Sequence, residues 1–183
     1  MTTTRTVTGH DSAGASIIVS QGPLPGCEEY RHSPGFSAAL VWQTAPQAQI
    51  ADQPSDPTCT ATSVLPAPGG TSALLVSFPP DSLAGGSDFD PIAAGAELCQ
   101  RLPGLAERFE AEAPGFHRTD SIDYGVVLEG EITLELDGGR TSLLRQGDIV
   151  VQMGTRHAWR NRGNTPARLL FVLVGAHRVP LPT

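Results

Sequence analysis

From Phe116 to Val174 the chain is an almost unbroken series of short apolar segments separated by tight turns. Ile132, Leu134 and Leu136 alternate with Glu131, Thr133 and Glu135, the period-two signature of a half-buried strand. Val126-Val127-Leu128, Ile149-Val150-Val151 and Ala167 to Val174 read as buried strands. Asp137-Gly138-Gly139, Gln146-Gly147-Asp148 and Gly163-Asn164 supply the turns. Short strands at this spacing, joined by tight turns, predict an all-β fold, a small antiparallel barrel or jelly roll. The absence of an internal repeat predicts one barrel rather than two.

The preceding residues are less regular. Thr6 to Ser20 reads as a hairpin turning through Gly9 to Gly14, and Gln21 to Gly35 as loop. Ala39 to Trp42 marks a strand within Phe36 to Thr44. Ala45 to Gly70 is a proline-rich connection, with a short strand expected at Ser63-Val64-Leu65. Thr71 to Phe78 is a strand that Pro79-Pro80 stops. Asp90 and Pro91 are a cap and first residue for a helix that Pro103-Gly104 splits, the second part running to about Glu112. The expected organisation is a single domain over 1–183. Its parts are an N-terminal β extension with loops (1–70), a strand plus helical segment (71–112), a barrel (113–176) and a tail (177–183).

Composition removes several functions. All 12 basic residues are arginine, so no lysine is available for a Schiff base or a Walker-type phosphate loop. Against them stand 19 acids and a net charge of −7, which disfavours nucleic-acid binding. Cys27, Cys59 and Cys99 are odd in number and far apart, so a reducing compartment is expected. Met1 to His10 has no signal-peptide core and no apolar run reaches membrane-spanning length, so a cytoplasmic protein without membrane contact is expected.

Two ordered patterns lie in the strand-rich region. His117-Arg118-Thr119 is followed by Asp123 and Gly130; Gly147-Asp148 is followed by Gly154, His157, Trp159 and Asn161. Residues two apart on a strand share a face, so His117 points with Thr119, and His157 with Trp159 and Asn161. Two imidazoles and a carboxylate on one barrel wall make a facial metal site.

These patterns resemble the cupin superfamily in its single-domain, two-motif form. The matching residues are His117, Asp123 and Gly130, then Gly147, Asp148, Gly154, His157 and Asn161. The resemblance implies metal ligands at His117, Asp123 and His157. Three departures stand out: Thr119 replaces the second histidine, Asp123 the commoner glutamate, and Gln152-Met153-Gly154 the Pro-x-Gly turn. Fe(II), Zn(II), Mn(II) and Ni(II) all suit the set, Fe(II) most. Catalytic roles fall to Asp123, His157 and Thr119, and the pocket to Trp159, Gln152, Gly125, Val127 and Asn161. Further wall candidates are Val126, Leu128, Ile149, Val151, Leu170 and Phe171. Tyr124 is assigned to outer-face packing, Glu129 and Glu131 to solvent, and Asp120 and Ser121 to a cap over the pocket.

Three functions follow for a small-molecule ligand. The first is a metal-dependent lyase or isomerase of secondary metabolism, acting on an oxygenated substrate by elimination, decarboxylation or cyclisation. The second is an Fe(II)-dependent dioxygenase at the same site. The third is a non-catalytic binding module. A homodimer is expected, paired through strands near Ile17-Ile18-Val19 and Leu40-Val41-Trp42. Arg118, Arg156, Arg160 and Arg162 fall an odd number of residues from inward ligands, which points them out of the barrel.

Overall fold

The computed structural model describes residues 3–83 and 89–179. Residues 180–183, most of the expected tail, lie outside the described residues, as do 1–2 and 84–88.

Among the described residues ten strands and one α-helix follow in order: β1 (Thr4–His10), β2 (Ser16–Pro23), β3 (Ser37–Thr44), β4 (Thr71–Phe78), α1 (Pro91–Arg101), β5 (Ser121–Glu129), β6 (Glu131–Leu136), β7 (Thr141–Arg145), β8 (Ile149–Met153), β9 (His157–Arg160) and β10 (Ala167–Gly175). They form an antiparallel five-stranded sheet in the order β3-β4-β10-β5-β8 and a three-stranded sheet β7-β6-β9. β1 and β2 pair with each other as a separate hairpin.

The inner faces of the two larger sheets share one core. Leu74, Val76, Val127, Leu169, Phe171 and Leu173 from the first meet Ile132 from the second, with Leu144 and Trp159 packed against them. The fold is therefore an all-β, antiparallel jelly-roll barrel, the form that the resemblance implies. β10 shows its physical basis: burial alternates strictly along all nine residues, so one face builds the core and the other does not.

Local chemistry sets the joints. Asp90 caps α1 by accepting from the amides of Ile92 and Ala93, with Pro91 in the first turn; such a cap contributes about 1 kcal/mol. At Gly130, between β5 and β6, φ is +72° and a Cβ would lie 2.6 Å from the Pro166 carbonyl, so only glycine fits.

Three local expectations differ from the structure. β2 runs on through Gln21, Gly22 and Pro23, read as loop from their turn residues, because Thr4, Arg5 and Thr6 pair with them. Ser63-Val64-Leu65 is not a strand: Ser63 Oγ accepts from the Leu65 amide, and the Val64 amide bonds Pro103. That side-chain turn competes with strand pairing. The second helical part is a single 3₁₀ turn, Ala106–Arg108, not a helix to Glu112. The Ala113–Phe116 turn and the Glu110-to-Phe116 bond take the backbone groups a longer helix would need.

The wall candidates divide by parity. Val127 and Phe171 are buried, whereas Leu128, Ile149 and Val151 are exposed and Val126 and Leu170 half-buried on the outer face. Apolar runs conceal this, because both faces of these strands are apolar and hydropathy alone does not mark the inner one.

Candidate active site

His117 and His157 sit opposite each other across a short antiparallel bridge. Each donates its amide to the other's carbonyl, at 3.0 and 2.9 Å. Both side chains are buried, and their ring centroids lie 4.4 Å apart. Phe109 packs on His117 at 4.5 Å, and Trp159 on His157 at 5.7 Å. Trp159 leans in turn on Phe171, so the pair belongs to one aromatic row.

The tautomers follow from the hydrogen bonds. Nδ1 of His117 lies 3.2 Å from the Gly115 carbonyl and Nδ1 of His157 lies 2.9 Å from that of Thr155. A carbonyl only accepts, so each Nδ1 carries the proton and each Nε2 keeps a lone pair. Burial holds both rings below the usual histidine pKa, His157 at about 4, with proximity to His117 lowering it further. Two neutral bases thus stand side by side.

Arginine outside the barrel fixes this pair. Arg156, the residue before His157, forms a two-bond ion pair with Glu110, Nε to Oε1 at 2.7 Å and Nη2 to Oε2 at 2.6 Å. It also bonds Asp137 and covers the Phe116 ring at 4.0 Å. The Arg156 hydrogen bonds hold the Glu110 carboxyl below its usual pKa. Arg160 pairs with Glu135, and Arg118 and Arg162 are exposed. All four arginines therefore lie off the inner face, as strand parity predicts.

Asp123 belongs to a different group. Thr119 Oγ1 and Ser121 Oγ are 2.8 Å apart, and Ser121 donates to Asp123 Oδ1 at 2.5 Å. All three side chains are buried, and burial raises the Asp123 carboxyl above its usual pKa. Ser121, expected as a cap with Asp120, instead points inward. Asp120 points outward to Arg178, which also donates to the carbonyls of Thr119 and Gly154. Thr119 and Ser121 border a cavity of about 250 Å³ at the barrel end, together with Arg108 and His177.

The expected metal ligands do not form one set. Among the described residues no three His, Cys, Asp or Glu side chains come together as a metal site. His117 and His157 offer two imidazole nitrogens, but the Asp123 carboxyl is engaged by hydroxyls, and these residues do not fit a two-histidine, one-carboxylate centre.

The pocket candidates separate in the same way. Gln152 is the direct cross-strand partner of Asp123 and is buried. Its Oε1 accepts from Thr155, while its Nε2 has no hydrogen-bond partner. Trp159 walls the histidine pair. Three candidates are not pocket residues. Asn161 is spent on backbone, donating to the carbonyls of Phe78 and Thr165 and accepting from the Gly163 amide. Val127 is packed in the core. Gly125 makes room for neighbours, since a Cβ there would lie 2.8 Å from Val150 and 3.0 Å from Phe171. Phe109 and the Arg156–Glu110 clamp escaped the sequence reading; an arginine beside a barrel histidine with an acid seven residues before its partner was the available signal.

A barrel with paired histidines at its motif positions defines the class of protein. The Cupin domain family matches residues 108–173. Over this stretch, about a third of its length, the chain is similar to that family. Phomopsin biosynthesis cluster protein C' of Diaporthe leptostromiformis is 53% identical over 66 residues, 36% of this chain and 35% of that protein. A cupin-domain-containing oxidoreductase of Hypocrea virens is 46% identical over 61 residues, 32% and 31% of the two chains. The matched stretch thus spans about a third of these curated relatives. A Cupin 2 conserved barrel domain protein of Salinispora arenicola is a structural neighbour, with a TM-score of 0.43, 15% identity and coverage of 85% and 87%.

Proposed function

We propose that this chain is a small-molecule enzyme of secondary metabolism that moves protons on an oxygenated substrate, in lyase or isomerase chemistry such as elimination, decarboxylation or cyclisation. The observation that carries this reading is the histidine pair: buried, neutral, and with both Nε2 atoms free of backbone. A neutral imidazole in an apolar row is a competent general base at neutral pH. Asp123, whose carboxyl pKa burial raises, exchanges a proton with the substrate oxygen, and Thr119 and Ser121 orient its carboxyl. The unpartnered Nε2 of Gln152 anchors that oxygen by donating to it. The biosynthesis-cluster names of the relatives support the metabolic setting.

No step here passes through a metal ion, because the carboxylate that would complete the ligand set is bonded elsewhere. A second reading, oxygen-dependent redox chemistry with Fe(II), is favoured by the oxidoreductase names of several relatives. The protein is proposed to act as a homodimer.

The test is solvent proton exchange. A panel of enolisable ketones and β-hydroxy ketones is incubated with the protein in D₂O containing EDTA, and deuterium uptake is followed by mass spectrometry. The expected result is enhanced uptake on at least one member, lost in His117→Ala and His157→Ala. No enhanced exchange on any member would sink the reading. Oxygen consumption dependent on added iron would favour the redox alternative.

A further inference from the structure

The outer face of the five-stranded sheet is apolar along the middle of its β10, β5 and β8 strands. The β5–β8 register pairs Ile122 with Met153, Tyr124 with Val151 and Val126 with Ile149. On β10 the same rows continue into Val174, Val172 and Leu170. Direct cross-strand partners share a face, so these side chains form three apolar rows without a charge.

The two ends of this face differ. At the β3–β4 end Leu24 lies over Ala39 and Leu75, and all three are buried. The chain's own N-terminal segment covers that half. At the β8 end Ile149 is 67% exposed, Met153 63%, Val151 51% and Tyr124 48%. β8 is also the last strand of its sheet. These side chains leave on the order of 500 Å² of apolar surface uncovered, as large as the largest patch on an ordinary monomer.

We infer that the Ile149–Val151–Met153 face of β8, with Tyr124 of β5, is the surface through which two copies of this chain pair. A second copy is the fitting occupant for three reasons. The rows are charge-free, so two chains of net charge −7 meet there without opposed carboxylates. A flat sheet face packs on a sheet face, and a two-fold axis through the Tyr124–Val151 row sets each copy's rows on the other's. With the half-buried rows of β10 added, the patch approaches the roughly 800 Å² per partner of a standard interface. The inference rests on the homodimer reading and moves its surface from the N-terminal strands to the barrel.

Light scattering coupled to gel filtration, with sedimentation equilibrium for the dissociation constant, tests it on the full chain. The expected wild-type mass is twice 19.2 kDa. Val151→Asp is expected to be monomeric with an unchanged circular dichroism spectrum, and Ile18→Asp to remain dimeric. Val151→Thr, which keeps the shape of valine, covers the case in which the aspartate variant fails to fold. Its dimer dissociation constant is expected to rise roughly tenfold or more. A monomeric wild type overturns both the surface and the dimer. A dimer that survives Val151→Asp but is broken by Ile18→Asp keeps the dimer and overturns this surface. An unchanged constant in Val151→Thr overturns the surface as well.

Discussion

His117 and His157 are tied to each other by two reciprocal backbone hydrogen bonds, and their rings face each other at 4.4 Å. Forty residues apart in sequence, they are a single structural unit. In a hydrogen-bonded antiparallel pair the two side chains leave the same side of the ladder, so the bridge itself sets the imidazoles together. Their shared environment accounts for their shared neutrality.

That neutrality makes stability depend on pH. Burial lowers both histidine pKa values, to about 4 for His157, against 6.5 when unperturbed. Between these values the unfolded chain binds more protons than the folded one, so stability falls as pH drops from about 6.5 toward 4. Asp123 acts in the opposite sense. Its raised pKa means the folded state keeps a proton the unfolded chain has released, so its contribution declines as pH rises. Melting temperature is expected to drop between pH 7 and pH 5, and His157→Phe to flatten the drop. The His157 contribution is on the order of 3 kcal/mol at the acid end. A wild-type melting temperature flat across this range contradicts the assignment.

Arg156→Lys is expected to loosen the histidine bridge without unfolding the barrel. Lysine carries a charge but not the planar fork that meets both oxygens of Glu110. Amide hydrogen exchange at His117 and His157 is expected to quicken in this variant and more so in Arg156→Ala, while exchange along β10 stays unchanged. Equal protection in all three proteins argues against the clamp.

Asp123→Asn and Ser121→Ala are expected to differ. An amide keeps the shape of the buried carboxyl and carries no charge, and burial already disfavours the charged form, so Asp123→Asn costs about 1 kcal/mol or less. Ser121→Ala removes the donor to Asp123 and the partner of Thr119, leaving buried polar groups unpaired, at a cost of about 1–3 kcal/mol. Urea unfolding midpoints measure both. A larger loss in Asp123→Asn than in Ser121→Ala contradicts the reading that burial disfavours the charged carboxylate.

Asn161→Ala is expected to be among the most damaging single changes outside the histidine pair. It leaves two carbonyls and one amide without their partner at a site that is 1% exposed. The expected cost is about 2–4 kcal/mol. Asn161→Asp tests the same brace, since a carboxylate keeps the Gly163 bond but donates to neither carbonyl.

Protein purified without chelator is expected to carry well below one equivalent of iron, zinc, manganese or nickel per chain by elemental analysis. Two imidazoles without the third ligand hold such ions weakly. One full equivalent, lost in His117→Ala, would mean that Asp123 leaves Ser121 to join the histidines.

Alternation along the strands made much of this legible. The period of two set His117 with Thr119 and His157 with Trp159 and Asn161, and put the four arginines outside, because side-chain direction on a regular strand depends only on parity; it left the phase of Gln152 open. Asp90 and Pro91 announced the helix for equally local reasons. Where both faces of a strand are apolar, as at Ile149 and Val151, parity exists but hydropathy does not say which face is inner. Whether Asp123 meets the histidines was also beyond local reading. The burial phase set at His117 runs on through Thr119 and Ser121 to Asp123, but sharing a face does not fix which partner the carboxyl reaches. Ser121, two residues before Asp123, takes up the carboxyl first. The sequence by itself determined an antiparallel barrel, its turns and the inward set of polar residues. Only the tertiary structure decided which of them touch, since contact depends on how separate strands cross and on which hydrogen-bond partner each buried group reaches.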